Sequence, residues 1–212
     1  TELAEYDKNL QLFKSIGKTT VLTSGGYTIK GEDIIIDNKK KKIRSENPAV
    51  VQDLEKNKIY LDNFEYSTLD NLFHSAGKIK VIDTKNNSYN FSQLFINEKT
   101  REIVGSDAKT FLNEESFKVD KNNKPRVFSN TVNINKQGTE FTKSIFTLCD
   151  YREEDKCPPW SVQAKKMLHD KKKKTIYYDN AVIKIYDLPL FYLPKLSHPD
   201  PSVKRRSGFL IP

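Results

Sequence analysis

Apolar and polar residues alternate in short stretches along most of the chain. In YTIKGEDIIID, residues 27–37, β-branched and aromatic side chains occupy one side of an extended backbone, and Lys, Glu and Asp occupy the other. A period of two is typical of a half-buried β-strand. No segment shows a convincing 3.6-residue apolar stripe, so the pattern predicts an all-β protein and excludes a helical repeat.

The alternating pattern repeats every thirty residues, because residues 27–37 align without gaps on residues 57–67 and 87–97. Such a period predicts stacked supersecondary units whose apolar residues remain in register. The aligned apolar positions form five rows: Ile29, Ile59 and Tyr89; Ile34, Phe64 and Leu94; Ile36, Tyr66 and Ile96; Ile43, Phe73 and Ile103; and Val51, Val81 and Phe111.

Within each unit the apolar spacing changes from two to five, for example between Ile29 and Ile34. A phase shift of this kind predicts a bulge or corner, where a long strand bends while the same face stays inward. Turns are predicted at residues 37–42, 67–71 and 97–100. Each unit is therefore expected to contain roughly two bent strands.

The period is lost after Phe111, and the next clear unit begins at Trp160. Residues 160–182 overlay residues 27–49 with an offset of 133, which places a second run of four lysines, 171–174, in the same turn as the first run, 39–42. Both runs are expected to be solvated hairpin tips. Attraction to an anionic surface or ligand is the alternative.

Composition narrows the class of function. The 212 residues are 36% hydrophobic and carry a formal net charge of +8, which favours a slender or open architecture and invites a nucleic-acid interpretation. The lysines, however, fall in turns while the aromatic residues fall on the apolar face, so stacking platforms and basic grooves are not interleaved. Nucleic-acid binding is therefore not expected.

Catalytic motifs are missing from the sequence. It contains no nucleophile elbow, HExxH, P-loop or GxGxxG, so neither an enzyme nor a cofactor is predicted. His74 and His198 have no partners at metal spacing, and His169 falls in an apolar slot, where a packed histidine is expected. No apolar run of about 18 residues predicts a transmembrane helix. Residues 1–3 are expected to be a processed or excised start.

The two cysteines, Cys149 and Cys157, do not match a zinc pattern, because two further ligands at short range are missing. A local disulfide, a disulfide to an absent segment and two free thiols all remain open.

The C-terminal quarter carries the most specific segments: CPPWSVQAKKMLHD (157–170), NAVIKIYDLPLFYLP (180–194) and SHPDPSVKRRSGFLIP (197–212). They resemble the LptD family of outer-membrane lipopolysaccharide-assembly proteins, where the periplasmic domain meets the β-barrel. The thirty-residue units resemble the OstA-like repeat of the bridge protein LptA. The resemblance implies a β-jellyroll of V-shaped stacked strands over residues 1–187, and a Pro-rich junction to an absent barrel over residues 188–212.

The resemblance also implies a function in the periplasm. The apolar rows would form a groove that takes lipopolysaccharide from an LptA-like bridge, attached by end-to-end strand addition, and passes it to the barrel with its LptE-like lipoprotein. The alternative is a closed core in a structural periplasmic β-repeat protein without a lipid ligand. The expected lining residues are Ile29, Ile34, Ile36, Phe64, Tyr66, Leu94, Ile96 and Ile103.

Further roles follow from the same resemblance. Cys149 stands where the family has a cysteine that bridges to the barrel, so a disulfide to the barrel is expected in the full protein, and a local bridge to Cys157 or two free thiols in the fragment. Prolines crowd the chain after Asp187 and deny donors to a ladder, which predicts a stiff non-ladder linker. The residues expected to act at the gate or beside lipid phosphates and the membrane are Pro194, Lys204, Arg205, Arg206 and Pro212.

Overall fold

The computed structural model describes residues 1, 3–113, 125–147, 159–186, 188–199 and 203. These residues form seventeen β-strands and no helix, so the prediction of an all-β protein is confirmed. None of them belongs to a helix long and apolar enough to span a membrane. The chain divides into two compact units, Thr1–Thr110 and Phe111–Pro212, which we name unit 1 and unit 2.

The strands of unit 1 are short at first and then long. Their bounds are β1 (Leu3–Asp7), β2 (Leu12–Ile16), β3 (Lys18–Leu22), β4 (Thr28–Glu32), β5 (Ile35–Asp37), β6 (Lys42–Ser45), β7 (Ala49–Gln52), β8 (Lys58–Leu61), β9 (Phe64–Ser67), β10 (Leu72–Ile82), β11 (Ser88–Asn97) and β12 (Glu102–Phe111).

Two antiparallel layers make up unit 1. One layer has the order β1–β2–β5–β6–β9–β10, and the other has the order β3–β4–β7–β8–β10. Strand β10 belongs to both layers, because its first residues pair with β9 and its last residues pair with β8. Strand β11 then pairs along both halves of β10. The layers enclose an apolar interior, as expected for a β-jellyroll.

Sharp corners separate the two halves of the strands. Gly17 lies between β2 and β3 with φ 77°, Asp33 lies between β4 and β5 with φ 51°, and Gly77 interrupts β10 with φ 116°. The carboxylate of Asp33 accepts a hydrogen bond from the Gly17 N–H at 3.1 Å, which ties two neighbouring corners together. The corner predicted between Ile29 and Ile34 is therefore confirmed.

The hairpin turns repeat the thirty-residue period residue by residue. Left-handed φ angles between 54° and 59° recur at Gln11, Lys41, Asn71 and Arg101. In each turn one side chain accepts backbone N–H groups at 2.7–3.4 Å, and these acceptors are Asp7, Asp37, Ser67 and Asn97. The predicted turns, and the position of the first lysine run at a hairpin tip, are confirmed.

Unit 2 is an antiparallel meander of long strands, in which each strand pairs with the next. The strands are β13 (Arg126–Ile134), β14 (Gly138–Thr147), β15 (Trp160–Asp170), β16 (Thr175–Ile185) and β17 (Leu188–Pro199). Asp170 and Lys174 occupy the turn positions that Asp37 and Lys41 hold in unit 1, with φ 47° at Lys174. The 133-residue offset is confirmed.

The predicted non-ladder linker is wrong for residues 188–199. This segment forms β17, which pairs with β16 from Leu188 to Pro199. Within the described part of unit 2, β17 has a neighbour on one side only, and a sheet edge tolerates proline because a missing N–H need not serve a second strand. Pro194 lies between two paired positions, opposite Asn180, whose φ of 52° marks an interruption of the ladder.

Candidate functional site

The predicted lining residues meet in the interior of unit 1. Ile36 and Ile103 are half-buried. The other six are almost fully buried, with exposed fractions of 0% for Ile29, Ile34 and Leu94, 1% for Ile96, and 3% for Phe64 and Tyr66. The ring of Phe64 stacks on that of Phe73 with centroids 5.4 Å apart. In this state the six buried side chains leave almost no apolar surface exposed. That they contact a lipid stays a prediction.

A row of buried serines at the corners was missed in the sequence. Ser15, Ser45 and Ser75 are thirty residues apart, and none is more than 3% exposed. Gly105 takes the fourth position, where a Cβ would collide with the Phe91 ring. The sequence signal for this row is the recurrence of serine at the same thirty-residue offset as the apolar rows. Each serine hydroxyl donates to a backbone carbonyl at a corner, at Ile34 (3.3 Å), Glu32 (2.9 Å) and Asn63 (2.7 Å).

A polar bridge joins the two layers of unit 1. Glu98, which directly follows β11, is only 9% exposed. Its carboxylate accepts a hydrogen bond from the Tyr66 hydroxyl at 2.5 Å and another from the hydroxyl of Thr23, in the loop after β3. We name Thr23, Tyr66 and Glu98 the clasp. Because Tyr66 lies in β9 and Thr23 follows β3, the clasp ties one layer to the other.

Packing and protonation both stabilise the clasp. Gly25 leaves room for Glu98, since a Cβ at position 25 would collide with the carboxylate carbon. Burial and the hydrogen bond to Glu98 raise the pKa of Tyr66 above its ordinary range. Burial, together with the charges of Asp53 and Glu98, raises the pKa of Tyr27 to about 12. Both phenols therefore stay protonated at neutral pH, and Tyr66 remains a donor.

The inner side of unit 2 is buried in the half of the sheet nearest the turn 171–174. Phe141, Met167 and Tyr178 lie opposite one another on β14, β15 and β16, and their exposed fractions are 6%, 3% and 2%. The next row, at the corner, contains the buried residues Ala164 and Ala181. The rows in this half therefore form a packed core.

Beyond the corner the same side of the sheet is open. Phe146, Val162, Ile183 and Phe191 lie opposite one another on four successive strands, two residues beyond the buried row. Phe191 is 62% exposed, and the other three are half-buried.

Trp160 and Ile185 extend this row by one further pair, and Ile185 is 41% exposed. The Phe146 and Trp160 rings meet edge to face with centroids 6.1 Å apart. We name these six residues the open face: Phe146, Trp160, Val162, Ile183, Ile185 and Phe191. A contiguous exposed apolar surface of this kind marks a site for an apolar ligand or partner.

The open face was not among the predicted site residues, although segment 180–194 was singled out. The sequence signal for the open face is the alternation of apolar residues at Ala181, Ile183 and Ile185. Apolar residues Leu193 and Phe191 lie opposite the first two of them on the next strand. That signal was masked by the prolines, which favoured a linker over a strand. Trp160 lies half-buried at the end of the open face.

Of the remaining predicted site residues, one lies within the described ranges and the others lie outside them. Pro194 lies in β17, where it is exposed. His169 and His198 lie in one row with Ile176, and His198 hydrogen-bonds to the Tyr178 hydroxyl at 3.0 Å. Within the described ranges no three His, Cys, Asp or Glu side chains come together as metal ligands. The residues that lie outside the described ranges are Cys149, Cys157, Lys204, Arg205, Arg206 and Pro212.

The layered antiparallel strands, the thirty-residue units and the apolar inner surfaces define the class of this protein, which is a β-jellyroll domain. Part of the chain is similar to the LPS-assembly protein LptD of Escherichia coli K12, with 38% identity over 71 residues. The same identity and length hold for LptD of Shigella flexneri and of Shigella sonnei. The similarity covers 32% of this chain and 9% of each relative's length. No family model matches the chain.

Proposed function

We propose that the chain is a periplasmic domain of an LptD-type protein of the outer membrane, and that it carries lipopolysaccharide. In this proposal it receives the lipid from an LptA-like bridge and passes it to a barrel for insertion in the outer leaflet. The similarity to LptD and the β-jellyroll fold support the class of function. The open face is the observation that carries the proposal, because it offers an acyl chain an apolar surface that water now covers.

The free energy gained by burying acyl CH₂ groups is adequate for reversible binding. Each CH₂ group transferred from water to an apolar surface gains about 0.8 kcal/mol. An acyl chain lying across Phe146, Val162, Ile183 and Phe191 would cross four strands of unit 2. Moving a lipid along such a surface makes and breaks no covalent bond, so the domain acts without a catalytic step or a cofactor.

In this proposal the interior of unit 1 takes acyl chains only after its layers separate. Leu94 and Ile34 are fully buried in the closed state, so a lipid that reached them would have to displace the packing around them. The clasp is the polar contact between the layers that such an opening would break. In this proposal the interior of unit 1 is therefore closed to lipid until the layers separate, whereas the open face of unit 2 is accessible.

Strand β1 suits a partner of the same fold. All five residues of Leu3–Asp7 are exposed, and within unit 1 this strand pairs with β2 on one side. An exposed strand with unpaired backbone groups accepts another strand by addition. An LptA-like bridge would add its last strand here, and an LptE-like lipoprotein would meet the protein through the barrel.

A structural periplasmic β-repeat protein without a lipid ligand is the second candidate. The observation that favours it is the closed interior of unit 1, where six predicted lining residues pack as an ordinary core. This candidate requires no lipid contact at either interior.

Photo-crosslinking separates the two candidates. A photoreactive residue replaces Phe191 or Val162 on the open face, and the matched control replaces Gln163, which is exposed on the opposite side of β15. After incubation with lipopolysaccharide and irradiation, we expect adducts from positions 191 and 162 and few from position 163. Equal capture at all three positions, or none at any, would favour the structural candidate.

The same probe at Leu94 tests the interior of unit 1. We expect little capture in the parent chain and increased capture after Glu98→Ala, because that change removes the acceptor shared by Thr23 and Tyr66. Capture at position 94 that is insensitive to Glu98→Ala would show that the clasp does not control access.

A further inference from the structure

Two hairpin tips of unit 2 meet at one end of the sheet. The Lys171 N–H donates a hydrogen bond to the Gln137 carbonyl at 3.2 Å, which joins the turn 171–174 to the turn 135–137. Lys136 and the four residues of the turn 171–174 are all exposed. We name these two turns the double tip, and it gathers five lysines.

The backbone of the double tip is held in one conformation. The Asp170 carboxylate accepts hydrogen bonds from the N–H groups of Lys172 and Lys173, each at 2.9 Å. These bonds, and the charges of the same two lysines, lower the pKa of Asp170. Asp170 is the one acidic residue in positions 135–138 and 170–174. One carboxylate charge therefore stands against five lysine charges in these two turns.

Unit 1 has a tip of the same construction. The Asn38 N–H donates to the Gln11 carbonyl at 3.1 Å, as Lys171 does to Gln137. The Asp37 carboxylate accepts the Lys40 N–H at 2.7 Å, and Lys41 has φ 56°. The two lysine runs therefore share a backbone geometry.

The electrostatic surroundings of the two runs differ. In unit 1, the turns on either side contribute Asp7, Lys8 and Asp70, and Lys42 forms an ion pair with Glu65 at 2.6 Å. In unit 2, the adjoining turn contributes Lys136 instead of an acid. The lysine run of unit 1 is thus largely balanced, and that of unit 2 is reinforced.

We propose that the double tip docks on a surface of anionic lipid headgroups, whose phosphate groups are the recognised chemistry. The lysines lie on exposed turns at one end of the sheet, so a single small ion would meet few of them. A planar anionic surface can meet several of them at once, and each lysine near such a surface contributes on the order of 1 kcal/mol.

This docking surface is separate from the proposed lipid-carrying face. Trp160 begins β15 on the open face, and Asp170 ends the same strand at the double tip. The two sites are therefore about 30 Å apart along one strand. Docking through the double tip leaves the open face free, and it does not depend on acyl-chain binding.

Vesicle binding of the 212-residue chain tests the proposal. One variant carries Lys171→Gln, Lys172→Gln and Lys174→Gln, and the matched control carries Lys39→Gln, Lys40→Gln and Lys41→Gln. Both lose three charges from lysine turns of the same backbone geometry. On phosphatidylcholine vesicles containing phosphatidylglycerol, we expect the first variant to bind roughly 100-fold more weakly than the parent. The control should stay close to the parent, and added salt should weaken binding of both.

Several outcomes would overturn the proposal. An equal loss in both variants would show that net charge alone drives binding. Equal binding to pure phosphatidylcholine would show that an apolar surface is responsible. Displacement by inorganic phosphate at a concentration matching the vesicle phosphate would indicate a free-ion site. Far-ultraviolet circular dichroism and melting curves that match the parent ensure that both variants are compared as folded proteins.

Discussion

Unit 1 and unit 2 are built from the same alternating pattern, yet the interior of unit 1 is closed and half of the inner side of unit 2 is open. In unit 1, Leu94 has no exposed surface, whereas in unit 2 the inward-facing Phe191 is 62% exposed. The difference shows that alternation determines which side chains point inward. It does not determine whether a second layer covers them.

Strand length accounts for part of the contrast. In unit 1, β2 to β9 are three to five residues long and are broken at corners into two layers. In unit 2, β14 to β17 run through their corners as continuous strands of ten to twelve residues. The clasp adds a polar tie between the layers of unit 1. A closed core and an open face are thus two outcomes of one repeat.

The largest expected effect comes from truncating one inward-facing residue in each of the two units. Leu94→Ala leaves a cavity in a packed interior and should lower the free energy of unfolding by about 2–5 kcal/mol. Phe191→Ala removes a side chain that is mostly in water, and should cost less than about 1 kcal/mol. Urea unfolding of both variants measures the difference, and equal losses would contradict the contrast between the two interiors.

Breaking the clasp should have the next largest effect. Glu98→Ala leaves two buried hydroxyl donors without their acceptor, and we expect a loss of about 1–3 kcal/mol. Faster amide exchange at Tyr27, whose N–H donates to Thr23 Oγ1 at 3.0 Å, should accompany it. Glu65→Ala is the control, because it removes an exposed ion pair worth at most about 1 kcal/mol. If both variants lose equal stability, the clasp does not hold the layers.

Alkaline pH should destabilise unit 1 through its buried tyrosines. Tyr27 has a pKa of about 12 in the folded chain, against about 10 when unfolded. Below pH 10 Tyr27 keeps its proton in both the folded and the unfolded chain, so its full contribution to stability is present. Between pH 10 and 12 only the unfolded chain loses the proton, so stability falls as the pH rises. Urea midpoints measured across this range should fall less steeply for Tyr27→Phe, and an unchanged slope would contradict the assignment.

Pro194→Ala should have the smallest effect and sharpens the description of the open unit. Pro194 is exposed in β17, opposite an interruption of the ladder at Asn180. The backbone N–H that alanine introduces therefore displaces no ladder hydrogen bond, and the free energy of unfolding should change by less than about 1 kcal/mol. Thermal melting provides the measurement. A large gain would indicate that proline strains β17, and its role at a gate stays a prediction in either case.

The sequence predicted the local architecture well. Gln11, Lys41, Asn71 and Arg101 share one turn conformation, as the thirty-residue period requires. Turns and corners depend on a few neighbouring residues, so a repeated sequence repeats them. The second lysine run was placed in its turn for the same reason, since Asp170 caps it as Asp37 caps the first.

The clasp, and the formation of a strand by residues 188–199, were not predictable in the same way. Thr23 and Glu98 are 75 residues apart, and nothing in their local sequence links them. Their contact exists because two layers meet, which is a property of the folded unit. The prolines of β17 suggested a linker because proline opposes a central strand, but an edge strand can accept it.

By itself the sequence determined that the chain forms β-strands, that they repeat every thirty residues, which side chains of the repeated units point inward, and where the lysine tips lie. Hydrophobic alternation and turn chemistry act over a few residues, and both are written directly in the chain. Only the tertiary structure decided that Leu94 is enclosed while Phe191 faces water. Burial requires a covering layer, and that layer comes from residues far away in sequence, whose position follows from the packing of the whole unit.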